Sequence, residues 1–166
     1  MTLKIRVANP SDADEIIRIY APSIIDCATS FEAVVPTADE MRTRMARAST
    51  THPWIVADEG DHLSGYAYAI QFRSRDAYRF SVETTVYIDP AHHRQGLGRK
   101  LMTELLERLA AQGHHLALAL VTLPNEGSVA LHESLGFEKV GVIPEVGFKL
   151  DCWHGVGIWS LKLQRD

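Results

Sequence analysis

The sequence predicts an α/β fold of the α+β kind, a mixed and mostly antiparallel central sheet with one parallel pair, flanked by about four helices. Three observations predict it. A hairpin and a closing strand pair flank a strand, helix, strand run in the middle of the chain, and two helices precede most of the strands. A chain of 166 residues fits one domain spanning 1–166, with a core that needs no staples.

Leu3 to Val7 alternates apolar and polar like a half-buried strand, and Asn9-Pro10-Ser11 breaks it and starts a helix over Asp12 to Ile25. "CATSFEAVVPT" has no sustained period and reads as a loop before a second helix, Ala38 to Ala48. Trp54 to Ala57 and Leu63 to Phe72, separated by "DEGDH", read as a hairpin, and Phe80 to Ile88 as the next strand, ended by Asp89-Pro90. Leu97, Leu101, Met102, Leu105, Leu106 and Leu109 form one apolar helical stripe, closed by Gly113. "HLALALV", His115 to Val121, is apolar on both faces, which suits a central parallel-type strand and makes a βαβ unit with the two elements before it. Asn125 to Ser134 is a short helix ending at Gly136, and Phe137 to Pro144 with Cys152 to Leu163 form a closing strand pair. No repeat, low-complexity tract or linker interrupts this order.

Composition excludes several function classes. With 46% apolar and 23% charged residues and a formal net charge of -4, the chain has no general attraction for nucleic acid or anionic membrane, so any cationic site is local. Cys27 and Cys152 are far apart and form no CxxC pair, which argues against a disulfide framework and points to a reducing cytoplasm. No apolar run reaches the roughly 18 residues of a membrane span. The pairs His92-His93 and His114-His115 raise a metal reading, but neighbouring side chains in extended chain diverge and no third ligand stands at a recognisable spacing, so no metal is expected.

The chemistry starts at "HHRQGLGRKL", His92 to Leu101. A strand that delivers its end to a helix N-terminus leaves backbone N–H groups unpaired at the positive end of the helix dipole. Gly96 and Gly98 carry no Cβ to keep a phosphate off that backbone, and Arg94, Arg99 and Lys100 add charge around it. A solvated glycine turn is the bland alternative. "GLGRKL" lacks the spacing of a P-loop and its Ser/Thr, and Leu101 stands where a dinucleotide fingerprint needs a third glycine, so the phosphate belongs to some other cofactor.

The strand "ETTVYI" followed by a glycine turn of the form R/Q-x-x-G-x-G/A and an amphipathic helix resembles the acetyl-CoA motif of the GNAT superfamily of N-acetyltransferases. His93 departs from the pattern at its first position. The segments "PWIVAD", "GYAYA", "FRSRDAY", "LPNEGSV", "LHESLGF" and "VGFKLDCWHGVGIW" narrow the resemblance, over nearly the whole chain, to the phosphinothricin N-acetyltransferase group. That group acetylates the α-amine of small acidic amino acid analogues, methionine sulfoximine and methionine sulfone among them. The resemblance implies acetyl-CoA as co-substrate, with the parallel strand pair at the cofactor site. It assigns the diphosphate to Arg94, Gln95, Gly96, Leu97, Gly98 and Arg99, the pantetheine amides to the backbone of Val86, Tyr87 and Ile88, and Asn125 to the pantetheine arm. It also implies a homodimer.

Acetyl transfer requires an uncharged amine, and an α-amine is mostly protonated at neutral pH. In "VETTVYI", Glu83, Thr85 and Tyr87 share one face while Val82, Thr84, Val86 and Ile88 share the other, so Glu83 projects away from one apolar layer. Pattern alone leaves a structural ion pair with an arginine equally open. The resemblance assigns Glu83 as the general base, acting directly or through an ordered water. His132, on the short helix where many relatives carry a tyrosine, would by itself read as a surface or capping histidine; the resemblance makes it functional, as proton donor to sulfur or as part of the deprotonation route. Backbone N–H groups near Val86 would meet the oxyanion.

Arg73 and Arg75 face alike if their strand continues, as bidentate partners for a carboxylate or phosphinate, with Tyr78 adding a hydroxyl. Arg79 reads as solvated. Phe31 walls the pocket by resemblance, and Trp153 and Trp159 pack in a core or a subunit interface. Two other readings stay open: a transferase for another small amine or a peptide N-terminus, and a non-catalytic CoA-binding sensor.

Overall fold

A computed structural model describes residues 3–48 and 51–163. In it the chain forms a seven-stranded sheet in the order β1-β2-β3-β4-β5-β7-β6. The strands are β1 (Lys4–Val7), β2 (Trp54–Asp58), β3 (Leu63–Gln71), β4 (Ser81–Ile88), β5 (Leu116–Leu123), β6 (Glu138–Lys149) and β7 (Cys152–Lys162). The helices are α1 (Ala13–Ile25), α2 (Ala38–Arg47), α3 (Leu97–Ala111) and α4 (Glu126–Ser134), with single 3-10 turns at Pro10–Asp12, Asp76–Tyr78 and Pro90–His92. Every strand pairing is antiparallel except β4 with β5, which α3 connects. The expected mixed sheet with one parallel pair and four helices is what the chain forms.

The alternation of strand residues divides the core into two layers. Ile55, Ala57, Ala67, Ala69 and Val82 face the stripe Leu97, Leu101, Met102, Leu105, Leu106 and Leu109 of α3. Their neighbours Trp54, Val56 and Tyr66 face Ile16, Ile19, Tyr20 and Ile24 of α1 and Met41 of α2. Burying each large apolar side chain stabilises the fold by about 1.5–3 kcal/mol, so α3, with six buried stripe residues, is held mainly by its contacts and not by its own propensity.

Most boundaries shift by one or two residues, and the differences at β3 and β6 have identifiable reasons. β3 stops at Gln71, where the chain bends toward the 3-10 turn Asp76–Tyr78, so Arg73 and Arg75 do not lie on a continuing strand. β6 runs past Pro144 to Lys149. It tolerates the proline because it is the edge strand and its register slips between Ile143 and Gly147, around Glu145 at φ 47°. β5 is covered less completely than a central parallel strand, since Leu120 is exposed where β4 has left its side.

Candidate active site

β4 and β5 pair only over Ser81–Leu116, Val82–Ala117 and Glu83–Leu118, and then splay apart. Thr84 Oγ1 donates to Leu118 O at 3.1 Å, marking the last bond before the strands part. The resulting cleft is lined by Thr85, Val86 and Tyr87 of β4, Ala119 to Thr122 of β5, Thr29 of the loop after α1, and Asn125, Ser128 and His132 of α4. Beyond Glu83 no pairing to β5 is formed among the described residues, so this flank of Val86, Tyr87 and Ile88 can receive an extended amide chain as a strand would.

At the end of β4 the chain makes the 3-10 turn Pro90–His92 and enters α3 through two left-handed residues, Arg94 at φ 61° and Gly96 at φ 76°. A left-handed arginine costs about 1–2 kcal/mol, a strain of the sort that concentrates at binding sites. Gly96 is the N-cap of α3 and supplies no side-chain cap, whereas Thr37 and Asn125 cap α2 and α4 with side-chain oxygens. The first-turn N–H groups of the longest helix are therefore left for a ligand. A Cβ on Gly96 would meet nothing within 4 Å, so its glycine answers to backbone conformation; a Cβ on Gly98 would stand 3.2 Å from Leu131 and 3.7 Å from Ile88, so that glycine serves helix packing against α4 and β4. Leu97 is buried beneath the turn. Arg94, Arg99 and Lys100 are exposed around the turn and none forms an ion pair among the described residues. Gln95 Nε2 donates to Ala91 O at 3.2 Å, and His93, at the departing motif position, lies with Nε2 3.0 Å from Ile88 O.

Glu83 is half-buried opposite Ile70 of β3, on the sheet face that carries Tyr68 and Tyr87. Burial pushes its carboxyl above the usual carboxylate range, and the nearby Arg73 guanidinium partly opposes this. No ion pair or hydrogen bond commits the Glu83 side chain among the described residues, which removes the structural ion pair as its explanation. Both arginines are exposed; Arg73 stacks on Phe72 at 5.2 Å, whereas Arg75 is the N-cap of the following 3-10 turn. The expectation that both arginines face one way rested on a continuous strand, and only Arg73 stands in the field of Glu83. Tyr78 packs edge-on to Phe72 at 5.8 Å, and Arg79 pairs with Asp76 at 3.0 Å.

His132 is buried at 4% exposure, with Nδ1 2.8 Å from Ser128 O and its ring edge-on to Phe137 at 5.1 Å. The Ser128 carbonyl can only accept, so Nδ1 carries the proton and Nε2, buried without a partner, presents a lone pair. Burial holds its pKa below 6.5. A neutral imidazole with a bare Nε2 accepts a proton and does not donate one. Trp159 Nε1 donates to Glu133 Oε1 at 3.2 Å and ties α4 to β7, fixing the ring. Because protonation favours the unfolded chain, the contribution of neutral His132 to stability is complete above about pH 6.5 and is lost as pH falls through its lower folded-state value. His52 shifts the same way by burial. Chemical denaturation across that range should therefore show an acid limb that His132→Gln makes shallower; an identical limb would mean that His132 does not titrate between folded and unfolded chains.

Asn125 Oδ1 accepts from Ser128 N at 3.1 Å, leaving its amide NH2 at the cleft. Phe31 is 42% exposed and docks on the β6–β7 hairpin, where a Cβ on Gly147 would come within 2.3 Å of its ring. Trp159 is core, but Trp153 is exposed beside Phe148 at 5.1 Å. A cavity of about 570 Å³ lies on the Glu83 face of the sheet, walled by Tyr20, Trp54, Tyr66, Tyr68 and Ile70, with no counterpart among the sequence expectations. The alternation in "GYAYA" was the available signal, since it stacks Tyr66 and Tyr68 with Trp54.

The model of the acetyltransferase (GNAT) domain matches residues 5–154. The chain is 37% identical to the phosphinothricin N-acetyltransferase of Streptomyces viridochromogenes over 99% of its own length and 87% of that protein's. It is 33% identical to the L-methionine sulfoximine/L-methionine sulfone acetyltransferase of Salmonella typhimurium, covering 97% of this chain and 95% of that one. The solved acetyltransferase yncA of Salmonella typhimurium, with its cofactor acetyl-CoA, superposes with a TM-score of 0.95 at 32% identity over 100% of this chain and 96% of that one. A phosphinothricin acetyltransferase of Sinorhizobium meliloti in complex with acetyl-CoA gives 0.92 at 35% identity, over 98% and 89%. A splayed parallel strand pair, an uncapped glycine turn at the mouth of α3 and these matches together make the chain a member of the GNAT acetyltransferase family.

Proposed function

We propose that the chain, working as one domain, uses acetyl-CoA to acetylate the α-amine of a small acidic amino acid analogue of the phosphinothricin, methionine sulfoximine or methionine sulfone type. The observation that carries this reading is the uncapped N-terminus of α3 at the end of a splayed strand, a backbone socket for a diphosphate. Arg94, Gln95, Gly96, Leu97, Gly98 and Arg99 hold the diphosphate, and Val86, Tyr87 and Ile88 with the Asn125 amide align the pantetheine arm. Bound there, the coenzyme supplies an acetyl thioester.

Glu83, with its basicity raised by burial, takes the proton from the acceptor ammonium directly or through a water. His132 lines the cleft, and its buried, bare Nε2 is a proton acceptor. Arg73 attracts the acceptor's acid group, and the exposed Arg75, Tyr78 and Phe31 form its outer rim. A second copy of the chain covers the exposed apolar residues Val146, Phe148, Leu150 and Trp153 of the β6–β7 hairpin, giving a homodimer. The free thiols Cys27 and Cys152 suit a reducing cytoplasm, and no helix among the described residues is long and apolar enough to cross a membrane.

Release of free thiol from acetyl-CoA, followed with phosphinothricin, methionine sulfoximine, methionine sulfone and a peptide N-terminus, tests the reading. Turnover is expected with the acidic analogues and not with the peptide. Preference for the peptide would transfer the assignment to a protein N-acetyltransferase, and cofactor binding without turnover on any amine would favour a sensor.

A further inference from the structure

Away from the cleft, the tip of the β2–β3 hairpin meets the 3-10 turn Pro90–His92. Glu59, His62 and His92 converge there, one potential ligand atom from each lying within 4.8 Å of the others. His92 Nε2 is 3.4 Å from Glu59 Oε1, and His62 Nε2 is 3.7 Å from Glu59 Oε2. Two ligands on a tetrahedral zinc, each about 2.1 Å from the ion, stand about 3.4 Å apart. The Glu59–His92 spacing matches, and the His62 spacing to the other oxygen of the same carboxylate lies close to it.

Main-chain and second-layer contacts hold these groups in place. Glu59 N donates to His62 O at 3.0 Å, and Gly60, at φ 101°, donates its N–H to Asp58 Oδ1 at 2.7 Å, shaping the hairpin tip. Asp89 N donates to Ser64 O at 2.9 Å, and Arg18 bonds Leu63 O at 2.7 Å while pairing with Asp89, which fixes the two turns against each other. Asp61 Oδ1 lies 3.0 Å from His62 Nδ1. It places the proton on Nδ1 and leaves the Nε2 lone pair toward Glu59, the arrangement in which a carboxylate orients a metal-bound imidazole. His92 buries its Nδ1 edge and turns Nε2 to the same carboxylate. The three side chains remain 21–39% exposed, so an ion can enter.

We propose that Glu59, His62 and His92 bind one divalent transition metal ion of the zinc type, with water completing the shell. Two imidazoles and one carboxylate select zinc, nickel, copper or cobalt over magnesium or calcium, whose shells are all oxygen. The site shares no residue with the proposed catalytic cleft, and no step of the acetyl transfer calls on it. A histidine doublet in sequence gives no hint of it, because the three ligands come from two turns about thirty residues apart that only the β3–β4 pairing brings together.

The test is equilibrium dialysis of the tag-free protein against zinc chloride near neutral pH, with cobalt absorption as the spectroscopic check. One zinc per chain is expected, with binding lost in His62→Ala and in His92→Ala and weakened about tenfold in Asp61→Asn. It should be unchanged in His114→Ala, whose imidazole already meets Thr51 O at 2.8 Å. Acetyl transfer without metal should be unchanged in His62→Ala, which shows that the variant is folded. No zinc retained by the wild-type chain, or zinc retained in full by folded His62→Ala, would overturn the proposal and leave the cluster as a histidine–glutamate ion pair.

Discussion

Glu83→Gln is expected to lower kcat by about 10²–10⁴-fold, the usual contribution of a positioned general base, with little change in affinity for coenzyme A. The amide keeps the shape of the carboxylate but accepts no proton, and Glu83 lies on the sheet face opposite the α3 layer. The same substitution should raise thermal stability. The pKa of Glu83 is raised by burial, so its cost to folding grows as pH rises above the ordinary value of 4.5 and is complete above the folded-state value, and a neutral amide removes that cost. A variant that is both slower and more stable is a combination that a purely structural acid does not give. For the same reason the acid limb of kcat/KM should lie above 4.5, the ordinary value for this side chain. An unchanged turnover, or a limb at or below that value, removes Glu83 as the base.

Gly96→Glu should act on the other half of the reaction. A side chain at φ 76° is strained by about 1–2 kcal/mol, and its carboxylate would occupy the first-turn N–H groups and repel a diphosphate. Losing one charge-assisted contact of about 2 kcal/mol corresponds to roughly a 30-fold rise in the dissociation constant of acetyl-CoA. Turnover at saturating cofactor should be nearly preserved, since nothing at Glu83 moves. Gly98→Ala is the informative companion. Its Cβ presses on Leu131 as well as standing in the diphosphate socket, so stability should fall together with cofactor affinity.

The cofactor end of the site is legible in sequence because it is local. A strand, a turn with Gly96 and an apolar helical stripe lie within one continuous stretch, and alternation along β4 is enough to put Glu83 opposite Val82. The acceptor end is not. Arg73 and Arg75 separate because the chain leaves β3 after Gln71, a bend that no pattern in "FRSRDAY" announces. His132 shows the same limit differently: its place on α4 is periodic, but its bare Nε2 follows from Ser128 O on one side and Phe137 on the other. Pro144 misplaced the end of β6 because an edge strand with a slipped register tolerates what an inner strand does not.

The central claim is that main-chain amides at the mouth of α3 grip a diphosphate. Calorimetric titration with coenzyme A and with pantetheine, which lacks the diphosphate and nucleotide, tests it most directly. Coenzyme A should bind at least about 30-fold more tightly than pantetheine, a difference equivalent to about 2 kcal/mol, and Gly96→Glu should shrink that difference. Equal affinity for the two ligands, or a difference untouched by Gly96→Glu, would contradict the account.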